Sequence, residues 1–147
     1  MNKNGKVILI DDDTDDQELF KQAYSELGIE NELVVFKDAR KAYDYFNTND
    51  ADLFLIIADI NMPKMTGIEL RDKMQQVGVV RLRTIPFLFL TTGTAEDNLI
   101  YAYSHSVQGF FLKPPTYSEL KTVIGNVFSY WSNCSEPQFS NRLPEAR

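Results

Sequence analysis

Five short apolar runs punctuate the chain, at residues 7–10 (VILI), 33–36 (LVVF), 53–58 (LFLIIA), 87–90 (FLFL) and 110–112 (FFL). Most are continuous rather than alternating and rich in β-branched or aromatic side chains, the pattern of strands buried on both faces of a parallel sheet. Helix signals fill the intervals. Thr14-Asp-Asp-Gln17 reads as a capping box, followed at helical spacing by Leu19, Phe20, Ala23, Tyr24 and Leu27, with Gly28 as the stop. Asp38 can cap a helix carrying Ala42, Tyr45 and Phe46. Thr66-Gly-Ile-Glu69 is a second box ahead of Leu70, Met74 and Val77. Thr94 precedes a fourth helix with Leu99, Ile100, Ala102 and Tyr103. Thr116-Tyr-Ser-Glu119 is a third box, before Leu120, Val123, Ile124, Val127, Phe128 and Trp131 on one face. The alternation (βα)5 predicts an α/β domain, a doubly wound parallel five-stranded sheet with helices on both faces and right-handed crossovers. The domain should span residues 5–132, with 133–147 as a flexible C-terminal tail because that stretch has no periodicity.

Composition narrows the function. A length of 147 residues fits one domain, and 44% apolar content is enough for a core. The net charge of −6 argues against a nucleic-acid surface, so no direct DNA binding is expected. Cys134 is the single cysteine, which excludes an internal disulfide or a Cys/His zinc set. No apolar stretch approaches the ~20 residues that span a bilayer, and the N-terminus is no signal peptide, so a cytoplasmic protein without membrane insertion is the expectation.

The polar residues just after the strands carry the chemistry. Asp11, Asp12 and Asp13 follow the first strand, Asp59 the third, Thr91 and Thr92 the fourth, and Lys113 the fifth. In a parallel sheet all these ends lie on one rim, where ligands bind. Several carboxylates held close together repel unless a cation joins them. Hard oxygen donors suit Mg²⁺, which shares its sphere with water and phosphate. A lysine and a hydroxyl can neutralise and hydrogen-bond a phosphoryl group, leaving one aspartate free as nucleophile. Each residue alone has a plainer reading: Asp13 as a helix cap, the threonines as turn residues, Lys113 as a solvated loop lysine beside Pro114 and Pro115, and Asp59 as cap or chemistry. Their joint occurrence at four strand ends favours a site. His105, the only histidine, reads as a solvated residue at the end of the fourth helix.

The segments ILIDDD, IIADINMPKMTG, PFLFLTT and GFFLKPP, in this order over residues 6–131, resemble the receiver domain of two-component response regulators of the single-domain chemotaxis type. The resemblance implies a flavodoxin-like, CheY-like sheet of strand order 2-1-3-4-5. It implies Asp59 as phospho-acceptor, Asp12 as direct Mg²⁺ ligand, Asp11 acting mainly through water, and the Asn61 backbone carbonyl completing the metal sphere. It further implies Lys113 on the phosphoryl oxygens, Thr91 and Phe110 as switch residues, and a cis Lys113–Pro114 bond. Such a protein is a signalling domain rather than an enzyme, with only self-catalysed phosphotransfer and slow autodephosphorylation. Its implied partners are a sensor histidine kinase or histidine phosphotransfer protein and a downstream protein target, met as a monomer or weak dimer through the fourth helix, fifth strand and fifth helix. Tyr101, Tyr103, Phe111 and Tyr117 fall on that face, with Tyr103 expected to pack further inward than Tyr101. Asn61 and Gly93 sit where receivers tune water access to the acyl phosphate. The departures are Phe110 for tyrosine, Ser106 for a frequent glycine, Thr92 for alanine and Pro115 for an aromatic. With sixteen residues after Trp131, no output domain is expected. Two rivals share part of the pattern. One is a haloacid-dehalogenase-type Mg²⁺ phosphatase with Asp11 as nucleophile, against which Thr14-Asp15 stands where Gly-Thr is expected. The other is an FMN-binding flavodoxin-like module, against which no Ser/Thr/Gly-rich phosphate loop follows the first strand.

Overall fold

The computed structural model describes residues 1–48, 52–76, 80–92, 100, 102–104 and 106–135. The expectations for Val77, Gly93, Thr94, Leu99, Tyr101, His105 and residues 136–147 fall outside them. Strands β1 (Lys6–Ile10), β2 (Leu33–Phe36), β3 (Leu53–Ala58), β4 (Phe87–Thr91) and β5 (Gly109–Leu112) form one sheet of order β2-β1-β3-β4-β5, all pairs parallel. Helices α1 (Thr14–Glu26), α2 (Ala39–Thr48), α3 (Gly67–Gln76), the single turn α4 (Val80–Arg83) and α5 (Tyr117–Asn133) surround it, and residues 100 and 102–104 are helical too. The expected architecture and strand order are those observed. No described helix is long and apolar enough to cross a membrane.

Side chains of a strand point alternately to its two faces, so each continuous apolar run feeds two cores. Ile8, Ile10, Ile56, Ala58, Phe87 and Phe89 face one cluster with α2 and α3. Val7, Leu9, Leu55, Ile57, Leu88 and Leu90 face the other, where Phe20 and Ala23 of α1 meet Ile124, Val127 and Phe128 of α5. Burial on both faces holds for β1, β3 and β4 but not for β2 and β5, which are edge strands and only half-buried for most of their length.

The caps match expectation at Thr66 and Thr116, whose hydroxyls take the N–H of Glu69 and Glu119, and at Asp38, whose carboxylate takes the N–H of Arg40. Gly28 ends α1 with φ +68°, a conformation that favours glycine. The first box is displaced by one residue. Asp13, not Thr14, caps α1 by accepting from the Asp16 N–H, while the Gln17 amide is drawn to the Asp11 carbonyl. Leu19 is 41% exposed rather than in the core, and Ile100 and Tyr103 are also exposed, while Ala102 is buried.

Arg71 on α3 is fully buried. Its Nη2 donates to the Ser106 carbonyl at 2.7 Å, its guanidinium lies 5.3 Å from the centre of the Phe87 ring, and burial pulls its pKa down to about 10. Ser106, standing where glycine was expected, adopts φ +58°. The strain of that backbone, on the order of 1 kcal/mol, is held by Arg71 and by Gln108, which donates to the same carbonyl. Arg71→Ala removes the packed stem and leaves that carbonyl only the longer, 3.2 Å hydrogen bond from Gln108. It is expected to lower the unfolding free energy by about 3 kcal/mol in urea titrations.

Candidate functional site

Register aligns the strand ends. Ile10 lies opposite Ala58, so the next residues, Asp11 and Asp59, emerge side by side, and the Asp59 N–H donates to the Ile10 carbonyl at 2.9 Å. Thr91 lies opposite Leu112, and the Lys113 N–H donates to the Thr91 carbonyl at 2.7 Å. Four strand tips therefore deliver Asp11, Asp59, Thr91 and Lys113 to one place, as their positions in the sequence predicted.

Asp59 is buried. Its Oδ1 accepts from the Thr91 hydroxyl at 2.6 Å and from the Asn61 backbone N–H at 3.3 Å. Its Oδ2 lies 3.1 Å from Lys113 Nζ. Lys113 Nζ also reaches Asp11 Oδ2 at 2.8 Å and Asp16 Oδ2 at 2.7 Å. Burial pushes the Asp11 carboxyl above the usual carboxylate range, and the charge of Asp59 adds to this, against the pull of Lys113 and the Asp13 N–H. Burial alone would lower the Lys113 pKa. The hydrogen bonds from Asp11 and Asp16, with the charges of Asp11 and Asp59, outweigh it and hold the ammonium above its ordinary value.

Asp11, Asp12, Asp16 and Asp59 around a single lysine leave this cluster rich in negative charge. One carboxylate oxygen each from Asp11, Asp12 and Asp59 lies within 4.8 Å of the others, an all-oxygen set that fits a hard divalent cation. A cleft of about 90 Å³ between α1 and the Pro114–Pro115 turn opens onto Asp11, Asp16 and Lys113, and Leu19 lines it, which is why that residue is exposed.

Several expectations change. No cis peptide bond occurs among the described residues, so Lys113–Pro114 is trans, the intrinsically favoured isomer, and Lys113 reaches the carboxylates without the other one. The Thr91 hydroxyl rests on Asp59 at 2.6 Å. Phe110 is half-buried, its ring 6.1 Å from Phe89 and 6.5 Å from Tyr103, which is exposed, while its expected ranking against Tyr101 falls outside the described residues. Thr92, Pro115 and Asn61 are exposed; Phe111 and Tyr117 are half-buried. Asp13 is the cap that the plainer reading made it.

Three residues were missed. Asp16 passed for one more acid in a helix first turn, although five residues after Asp11 on a helix docked to that strand end it faces the same rim. Gln17 holds the Asp11 carbonyl. Gly67 packs so closely that a Cβ there would run into the Asp59 carbonyl oxygen.

The family model for the response regulator receiver domain matches residues 7–125. The chemotaxis protein CheY1 of Helicobacter pylori is 30% identical over 116 residues, which is 79% of this chain and 90% of that one. Among solved structures, the Mn²⁺-bound form of response regulator Rcp1 matches with a TM-score of 0.75 at 27% identity, over 90% of this chain and 99% of that one. The phosphorylated cyanobacterial phytochrome response regulator RcpA matches with a TM-score of 0.77 at 25% identity, over 90% and 97%. A rim of acids beside a half-buried lysine and a buried threonine, on a sheet of this order and with a family match over most of its length, means that the chain belongs to the response regulator receiver domain family.

Proposed function

We propose that this domain receives a phosphoryl group on Asp59 from a phosphohistidine of a sensor kinase or histidine phosphotransfer protein in the cytoplasm, and signals through a protein partner. The observation that carries the reading is the convergence of Lys113 and Thr91 on the two oxygens of one buried carboxylate beside Asp11 and Asp12. An Asp59 oxygen attacks phosphorus, the nitrogen–phosphorus bond of the donor breaks, and the imidazole leaves with its electron pair. Charge spread over the phosphoryl oxygens must be neutralised for this to proceed.

Asp11, Asp12, Asp59 and the Asn61 carbonyl would hold Mg²⁺, and the chemistry it supplies when bound is neutralisation of that charge. The Mn²⁺ in the Rcp1 structure and the phosphoryl group in the RcpA structure support the assignment by analogy. Lys113 contributes a point charge and Thr91 a hydroxyl donor. Thr91 and Phe110 then bias the surface that includes β5 and α5, where Tyr103 and Leu112 are exposed.

Incubation with acetyl phosphate and Mg²⁺, then mapping of the modified residue by borohydride trapping and mass spectrometry, tests the proposal. Modification at Asp59 is expected. Modification at Asp11 would point instead to a phosphatase-like nucleophile. A purified protein carrying bound FMN would point to a flavodoxin-like module.

A further inference from the structure

Lys113 divides its ammonium among three carboxylates, and one of them stands outside the group that can hold a dication. Nζ lies 2.8 Å from Asp11 and 3.1 Å from Asp59, both in that group, but 2.7 Å from Asp16, which is not. Asp16 is set in place by its surroundings. Its N–H is held by the Asp13 carboxylate at 3.1 Å, and its neighbour Gln17 donates to the Asp11 carbonyl, so the first turn of α1 is docked onto the end of β1.

An ammonium resting on Asp11 and Asp59 competes with a dication for the same oxygens and repels it. A carboxylate outside the group that attracts Nζ relieves both effects while keeping the lysine at hand. We propose that Asp16 is a positioning residue of the metal centre: it draws Lys113 away from Asp11 and Asp59 as the dication enters and holds Nζ at the edge of the site. The inference rests on the reading of Asp11, Asp12 and Asp59 as metal ligands. Removal of the Asp16 charge leaves the ammonium wholly on those ligands and takes a negative charge from the neighbourhood, and both changes weaken metal binding.

The test is Mn²⁺ alone, titrated into the full chain with free ion followed by electron paramagnetic resonance. Asp16→Asn is expected to raise the dissociation constant about tenfold, at the low end for partners of metal ligands, and Asp16→Glu should restore most of the loss. Asp15→Asn, an exposed acid on the same turn, should change it by less than about twofold because solvent screens it. In a Lys113→Met background the Asp16→Asn effect should shrink to about twofold, because the lysine carries the coupling. The proposal is overturned if the tenfold loss persists without Lys113, or if Asp15→Asn equals Asp16→Asn. Asp12→Asn separates the two levels. If it leaves Mn²⁺ binding intact, the ligand reading itself fails; if it weakens binding and Asp16→Asn does not, only the role of Asp16 fails.

Discussion

Asp59→Asn protein is expected to take up no phosphoryl group from acetyl phosphate under conditions in which the unaltered chain is labelled to near stoichiometry. The amide keeps the shape of the side chain and an oxygen that can accept from Thr91 at the observed 2.6 Å, so the loss would not come from a broken fold. It comes from the nucleophile, since a neutral amide oxygen cannot form the acyl phosphate. Labelling of the variant at the original rate and stoichiometry would sink the assignment of Asp59.

The same substitution should make the metal-free protein more stable. At an effective permittivity of ~20, repulsion of Asp59 by Asp11 and Asp12, at up to 4.8 Å, totals roughly 7 kcal/mol, against roughly 5 kcal/mol of attraction to Lys113 at 3.1 Å. The difference, roughly 1 to 2 kcal/mol, is released when the charge goes, and Lys113 keeps Asp11 and Asp16. Addition of Mg²⁺ should reverse the order. A ligand at a hundredfold excess over its dissociation constant stabilises the fold by about 2.7 kcal/mol, and the variant has lost one ligand. Thermal unfolding in EDTA and in Mg²⁺ measures both halves. A variant less stable than the unaltered chain in EDTA would show that Lys113, not mutual repulsion, dominates the energetics of the cluster.

What the sequence made legible follows from which interactions are local. Central strands announce themselves because both faces are buried, so 7–10, 53–58 and 87–90 are apolar throughout. Chain order then puts Asp11, Asp59, Thr91 and Lys113 at strand ends, and parallel pairing puts strand ends on one rim, so the site could be read before any coordinates. Arg71 could not. An arginine in an amphipathic helix reads as surface, and its burial depends on a carbonyl 35 residues away. The sequence offers both Asp13 and Thr14 as caps for α1, and Asp13 takes the position, with Gln17 turned to the Asp11 carbonyl instead of reaching back to close a box at Thr14. Asp16 was hidden for the same reason: only the docking of α1 onto β1 brings it to Lys113.

Gly67 links the fold to the site, and its replacement is expected to damage both. It opens α3 directly behind Asp59, donating its N–H to the Ile60 carbonyl at 3.0 Å. An alanine Cβ there would collide with the Asp59 carbonyl oxygen and lie 2.8 Å from Cε1 of Phe89. The first obstacle is backbone and the second a fully buried ring, so neither can swing aside and α3 must move. Gly67→Ala should therefore lower the unfolding free energy by about 3 kcal/mol, at the upper end of overpacking costs. The shift also displaces Asp59 from Lys113 and Thr91, and a misplacement of about 1 Å can cost on the order of a hundredfold in rate. Phosphoryl uptake should fall by at least about tenfold at temperatures where the variant remains folded. Gly28→Ala supplies the contrast. Its φ of +68° imposes only a conformational cost of about 1 kcal/mol, since a Cβ there meets nothing within 4 Å, and the site lies elsewhere. Gly67→Ala protein that unfolds with the unaltered chain, or that loses stability while taking up phosphoryl at the original rate, would break the link between the packing behind Asp59 and the geometry in front of it.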